Sequence, residues 1–261
     1  MSGMSDKRGM NDPRQIGDDL LILFPYDRRP TARQVRAACE TADFVDADGP
    51  ELVNGRGHAH IAVVDGISLQ RSGLVFDLVG LAPGPAIPVP ELGGRGSGGG
   101  DIVPSRTLAA SLRLGPHISA GRNSLAVLRE WFAITQGIAT HFDAVMICWT
   151  PGGVAIPIDK LGPHLAEWDA RGQVPVSLLA SFPYTLDGAI QSHGLRYFTG
   201  QEFRIESPLV GAEETPLARL LFSHLFFAGT QEETGQLTAP DGHALRLQPS
   251  DNGRYVRVWP G

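Results

Sequence analysis

Cysteine is scarce in this chain: Cys39 and Cys148 are the only two, and they lie far apart. That excludes a disulfide framework and any short-spaced zinc or thiol-redox motif. Each cysteine is expected to act as a small buried hydrophobe in a reducing cytosol, so a cytoplasmic location is expected. Long apolar runs are missing too. Leu217 to Ala228 and Ala144 to Trp149 are the longest candidates and are core-sized, which excludes a spanning helix from the expectation. The first nineteen residues have no apolar stretch of the secretory kind, so 1–19 reads as a loose, polar N-terminal tail. Basic residues are thin, 22 against 28 acidic, for a formal charge of −6, and Arg28-Arg29 is the only tight basic pair beyond the tail. A nucleic-acid footprint needs clustered Lys and Arg, so nucleic acid is not an expected partner, and neither is a membrane.

Complete catalytic motifs are absent as well. No Walker A sequence occurs, and Ser97, the nearest approach to G-x-S-x-G, has Arg95 where the first glycine belongs. Gly94-Arg95-Gly96-Ser97-Gly98-Gly99 has the spacing G-x-G-x-x-G. Pro88 and Pro90 before it and Pro104 after it deny it the strand and helix N-terminus that a pyrophosphate needs, so it reads as loop. His58-Ala59-His60 is the best metal-like pair, because residues two apart on a strand face the same way. A site still needs a third ligand, with Asp65 and Asp77 the nearest in sequence, so no metal and no cofactor are expected.

What is present is a core. Apolar residues are 42% of the chain and charged residues 19%, which excludes global disorder. Leu20 to Phe24, closed by Pro25, reads as a strand buried on both faces, followed by a helix capped at Thr31 and running to Ala42. Strands are expected at His60 to Val64 and Leu74 to Val79, then a Pro/Gly-rich exposed loop over 83–100. A helix from Asn123 or Ser124 to Thr140 carries an apolar stripe through Leu128, Trp131 and Phe132. Further strands are expected at Phe142 to Trp149, Val154 to Ile156 and Val176 to Phe182, with a helix at Lys160 to Ala170 between them. The C-terminus is expected to hold a helix capped at Thr215 and a hairpin of Ala244 to Leu247 with Tyr255 to Trp259. This order of elements favours an α+β fold: antiparallel or mixed sheet, with helices mainly on one face. Two half-units, 20–120 and 121–261, are the expected organisation, since Ala86-Ile87-Pro88 echoes Ala155-Ile156-Pro157 after similar Phe-Asp strands and Pro-Gly turns. Coincidence in a Gly/Pro-rich chain is the alternative reading of so short a match.

The stretch Gly194-Leu195-Arg196-Tyr197-Phe198-Thr199-Gly200-Gln201-Glu202 is the most distinctive part of the sequence. Gly194-Leu195, Phe198 and Glu202, followed by strand and helix, resemble a largely bacterial family known as domain of unknown function 4261. The likeness is strongest over 176–228. Ser192 stands where the family pattern has Thr, and Thr199 where it has Gly. The family has no assigned activity, so the resemblance implies a fold and no reaction. Physically, Gly194 supplies a positive φ at a turn, and Glu202 and Glu206 are placed to accept hydrogen bonds from Arg196 or Arg204. A functional reading gathers His193, Tyr197 and Glu202 into a surface pocket. A structural one makes them turn and sheet residues.

The last helix is apolar on nearly every side: Leu217, Leu220, Leu221, His224 and Leu225 form one stripe, and Phe222, Phe226 and Phe227 lie elsewhere. It is either central to the core or partly used for a partner, and Phe222 and Phe226 are the candidate contacts. The functional expectation is a non-catalytic binding or protein-interaction factor, accessory or immunity-like, with another protein as partner. A hydrolase-type enzyme using His58 and His60, or His193 and Glu202, is the alternative.

Overall fold

In a computed structural model, the structure describes residues 19–41, 66–90, 106–210, 214–239 and 241–261. The expected strand at His60 to Val64, the metal candidates His58 and His60, and the glycine run 94–99 lie outside the described residues. Two sheets organise the rest. The first is six-stranded and antiparallel throughout, in the order β2 (Ile67–Arg71), β3 (Leu74–Val79), β4 (Thr107–Leu114), β1 (Leu20–Pro25), β5 (Met146–Trp149), β6 (Val154–Pro157). The uninterrupted apolar run of β1 is explained by its central place, covered on both faces. Leu20, Ile22 and Phe24 face the main core. Leu21 and Leu23 face a smaller cluster with Ala109, Met146 and Cys148, roofed by Ile87 and Val89.

That roof differs in part from the exposed loop expected over 83–100: Ile87 and Val89 are half-buried, while Pro83, Pro85 and Pro88 are exposed as expected. In its described part, Ile87 donates its amide to the Ala109 carbonyl at 2.9 Å and shields the outer face of the sheet. Because β5 and β6 complete the sheet that β1 to β4 begin, the expected boundary between 120 and 121 runs through a continuous sheet.

Helix α1 (Ala32–Thr41) begins with a reciprocal cap. The Gln34 amide donates to Thr31 Oγ1 at 3.3 Å, and the Thr31 amide donates to Gln34 Oε1 at 2.9 Å. Helices α2 (Leu125–His141) and α3 (Ile158–Arg171) pack on each other, and α2 lies on the first sheet. Trp131 on α2 donates its indole N–H to the Leu112 carbonyl of β4 at 3.0 Å, tying helix to sheet.

The expected strand over Val176 to Phe182 is instead a single helical turn, α4 (Val176–Leu179), followed by an isolated bridge from Ser181 to His193. A short apolar run does not distinguish a buried strand from a buried helix. The second sheet follows: β7 (Ile190–Gln191), β8 (Glu202–Ile205), β11 (Tyr255–Pro260), β10 (Ala244–Pro249), β9 (Gly235–Thr238). Strands β8 and β11 run parallel and the other pairs antiparallel, so this sheet is mixed. The fold is α+β.

Between β7 and β8 sits α5 (Leu195–Thr199), and α6 (Glu214–Ala228) packs against both α5 and β8. On α6, Leu217, Ala218, Leu221, Phe222 and Leu225 are buried. Among the described residues no helix is long and apolar enough to cross a membrane.

Candidate functional site

The segment read as most distinctive lies where the two sheets meet. Trp149, the last residue of β5, donates its indole N–H to the Leu179 carbonyl at 3.0 Å. The same carbonyl is wedged between two glycines. A Cβ on Gly152 would lie 2.3 Å from Leu179 O, and one on Gly194 would lie 2.2 Å from it. Gly194 also has φ +115°, a conformation that side-chain-bearing residues rarely adopt. The crossing is sealed by Ser181, whose hydroxyl donates to Gly152 O at 2.6 Å while its backbone pairs with His193 in both directions. Three chain segments therefore cross at van der Waals contact, and only glycine fits at two of them.

Glu202 holds the turn that follows. Its Oε1 accepts the amides of Gly194 at 2.9 Å and Arg196 at 3.1 Å. Its Oε2 accepts the amide of Leu195 at 3.2 Å and the hydroxyl of Ser192 at 2.5 Å. The Ser192 oxygen in turn accepts the Phe203 amide at 2.8 Å. A carboxylate reaching back eight residues thus satisfies the amides at the start of α5, which the helix itself leaves unpaired. Burial pushes the Glu202 carboxyl above the usual range, and the hydrogen bonds from Ser192, Gly194, Arg196 and Leu195 pull it back. The side-chain pairing expected with Arg196 is replaced by a bond to the Arg196 backbone. Glu206 does receive arginines: Arg257 Nε at 2.6 Å and Arg204 Nε at 3.4 Å.

Tyr197 is buried, its ring edge-on to Trp149 at 5.1 Å and 5.3 Å below the Arg122 guanidinium. Its ring packs among these groups, and the Glu202 carboxylate faces the backbone of the turn. His193 points outward. The protein beside its ring still desolvates the imidazole enough to hold it below the ordinary histidine range. It makes no hydrogen bond to Glu202, whose two oxygens are committed to the turn.

The candidate contacts on α6 divide. Phe222 is wholly buried against Phe182 and Phe198, so it is a core residue and not a partner contact. Phe226 is half-buried, its ring 4.9 Å from Phe198. Phe227 is the exposed aromatic of the helix, at 69%. His224 is half-buried rather than in the core.

Both cysteines are shielded. Burial, with Glu40 adding repulsion, raises the Cys39 thiol to about 11, and burial alone raises Cys148 to about 12, so neither is a thiolate near neutral pH. Among the described residues no three His, Cys, Asp or Glu side chains are grouped to hold a metal ion.

Two features leave little trace in the sequence. Gln201 is buried and fully bonded: its amide nitrogen donates to Gln231 O and Gly253 O at 3.1 and 3.0 Å, and its oxygen accepts the Gln231 amide at 2.8 Å. Leu186 stands fully exposed on the turn between α4 and β7. The Thr-Leu-Asp-Gly composition of that turn was its only signal. Compared with known proteins, the chain matches no family model, no curated protein and no solved structure.

Proposed function

We propose that this is a non-catalytic protein-interaction factor that engages another protein through the turn carrying Leu186. The reading keeps the resemblance to domain of unknown function 4261 as its family assignment and an accessory or immunity-like role as its setting. The observation that supports it is the combination of full exposure and rigidity at Leu186. The side chain is 111% exposed, while the turn beneath it is pinned. Thr185 donates its amide to Ala189 O at 2.8 Å and accepts the Gly188 amide at 3.0 Å. The Thr185 hydroxyl donates to Asp187 Oδ1 at 2.6 Å, and Arg204 from β8 donates to the other oxygen. The Thr185 hydroxyl and the Arg204 guanidinium hold the Asp187 carboxyl below its usual range, so the clamp is charged at neutral pH.

A large apolar side chain held outward on a fixed backbone loses little conformational freedom on docking into an apolar pocket, which is what an interface anchor requires. Tyr184, 60% exposed, flanks it. A photo-crosslinking amino acid at position 186, compared with the same residue at exposed Gln248, tests the reading in cells. A defined adduct at 186 that wild-type protein competes away, and that is absent at 248, is the expected result. Indistinguishable labelling at the two positions contradicts it.

A further inference from the structure

Helices α3 and α6 leave a cleft of about 150 Å³ between them, floored by Trp168 and by the segment from Val174 to Ser177. His164, Glu167 and Arg171 line one wall, at helical spacings of three and four that put them on one face. Arg219 and Ser223, four apart on α6, line the other. Arg171 Nη1 pairs with Glu167 at 3.0 Å across one helical turn. Arg219 has no ion-pair partner among the described residues. In a chain of net charge −6, Arg171 and Arg219, both largely exposed, line this concave site from opposite walls, and Glu167 is the one acid among its described lining residues. With two guanidinium groups against one carboxylate, the described lining carries a net positive charge that attracts anions.

We infer that this cleft binds the phosphoryl group of a small molecule. The donor set selects a tetrahedral oxyanion over a planar carboxylate. A planar group is satisfied by one guanidinium fork, whereas here donors come from two walls and from hydroxyls at Ser177 and Ser223. Glu167 is the competing anion: it pairs with Arg171 and repels an incoming phosphate. The inference stands apart from the Leu186 interface, which lies on a different turn of the chain.

The test is an NMR titration of the full-length protein at fixed ionic strength with inorganic phosphate, a phosphomonoester such as phosphoserine, and acetate. Saturable shifts at the Arg219 side chain are expected, with the phosphomonoester bound at least as tightly as inorganic phosphate and both tighter than acetate. Arg219→Ala is expected to weaken phosphate binding about tenfold or more, since it removes charge-assisted bonds. Glu167→Gln is expected to tighten binding several-fold, an effect that damage to the fold does not produce. Four results overturn the inference: no saturable shift at phosphate concentrations on the order of 20 mM, acetate binding as tightly as phosphate, exclusion of the phosphomonoester, or an Arg219→Ala protein that binds phosphate unchanged. Crosslinking at position 186 is expected to be the same in Arg219→Ala as in wild type, so failure here is separable from failure of the interaction reading.

Discussion

Glu202 Oε1 accepts the backbone amide of Gly194 at 2.9 Å, closing a loop of eight residues in which a side chain from a strand caps the helix before it. Most helix caps come from the residue just ahead of the helix. Here that residue is a glycine, wedged against Leu179 O and Gly152, and the cap comes from downstream.

Glu202→Gln is expected to lower stability by about 1–3 kcal/mol in urea unfolding, because the carboxamide nitrogen cannot accept from Leu195 N–H and leaves that donor unmet. Ser192→Ala removes the hydroxyl shared by Glu202 and the Phe203 amide and is expected to cost a similar amount. The double variant is expected to cost less than the sum, since both residues belong to one network.

Gly194→Ala and Gly152→Ala each place a methyl within 2.3 Å of Leu179 O, and only the first also forces a residue with a side chain to φ +115°. Each is expected to destabilise by about 3 kcal/mol or more, with Gly194→Ala the worse of the two. Gly172→Ala, where a methyl meets nothing within 4 Å, is the control and is expected to cost about 1 kcal/mol for its positive φ alone. Thermal melts of the three variants decide the order.

Burial raises the Glu202 carboxyl in the folded state, so between its unfolded and folded pKa values the native protein holds the proton more firmly. This contribution is fully present below the unfolded value and is lost as pH rises through the folded one. Wild type minus Glu202→Gln stability is therefore expected to fall as pH rises from the ordinary glutamate range. A difference that grows with pH contradicts the sign.

The histidines give a second pH readout. Desolvation lowers His193, and the Asp241 carboxylate raises exposed His243. Imidazole resonances followed by NMR are expected to titrate with His193 below His243.

Phe222→Ala is expected to cost about 3–5 kcal/mol, as for any fully buried phenylalanine. Phe227→Asp, at an exposed position on the same helix, is expected to change stability by no more than about 0.5 kcal/mol. Chemical denaturation of the two separates the buried side of α6 from its open side.

Much of the fold was legible wherever pattern and burial agree. Leu20 to Phe24 is apolar at every position because β1 is central and covered on both faces. Trp131 and Phe132 fall on the buried stripe of α2. Strand β4 escaped, although it pairs β1 with β3, because Ala109, Ala110 and Ser111 lack the branched and aromatic side chains that mark strands. Ala109 is the small residue beneath Ile87, which lies across that face of the sheet.

Val176 to Phe182 misled for a different reason: its shape is set by a tryptophan 30 residues away and by two glycines that grip Leu179 O, all distant in sequence. At the site, the importance of Gly194 and Glu202 was readable, but their relationship was not. A carboxylate that caps a helix from behind leaves no local spacing signature.

The most direct test is amide hydrogen exchange at Gly194, Leu195 and Arg196, the three donors that Glu202 accepts. If the block is a structural lock, all three are expected to be protected in the wild-type protein. Glu202→Gln is then expected to lose protection there while β1 amides such as Ile22 stay slow. Rapid exchange at these amides in the wild type, or protection unchanged by Glu202→Gln, contradicts the lock and returns Glu202 to the residues free for chemistry.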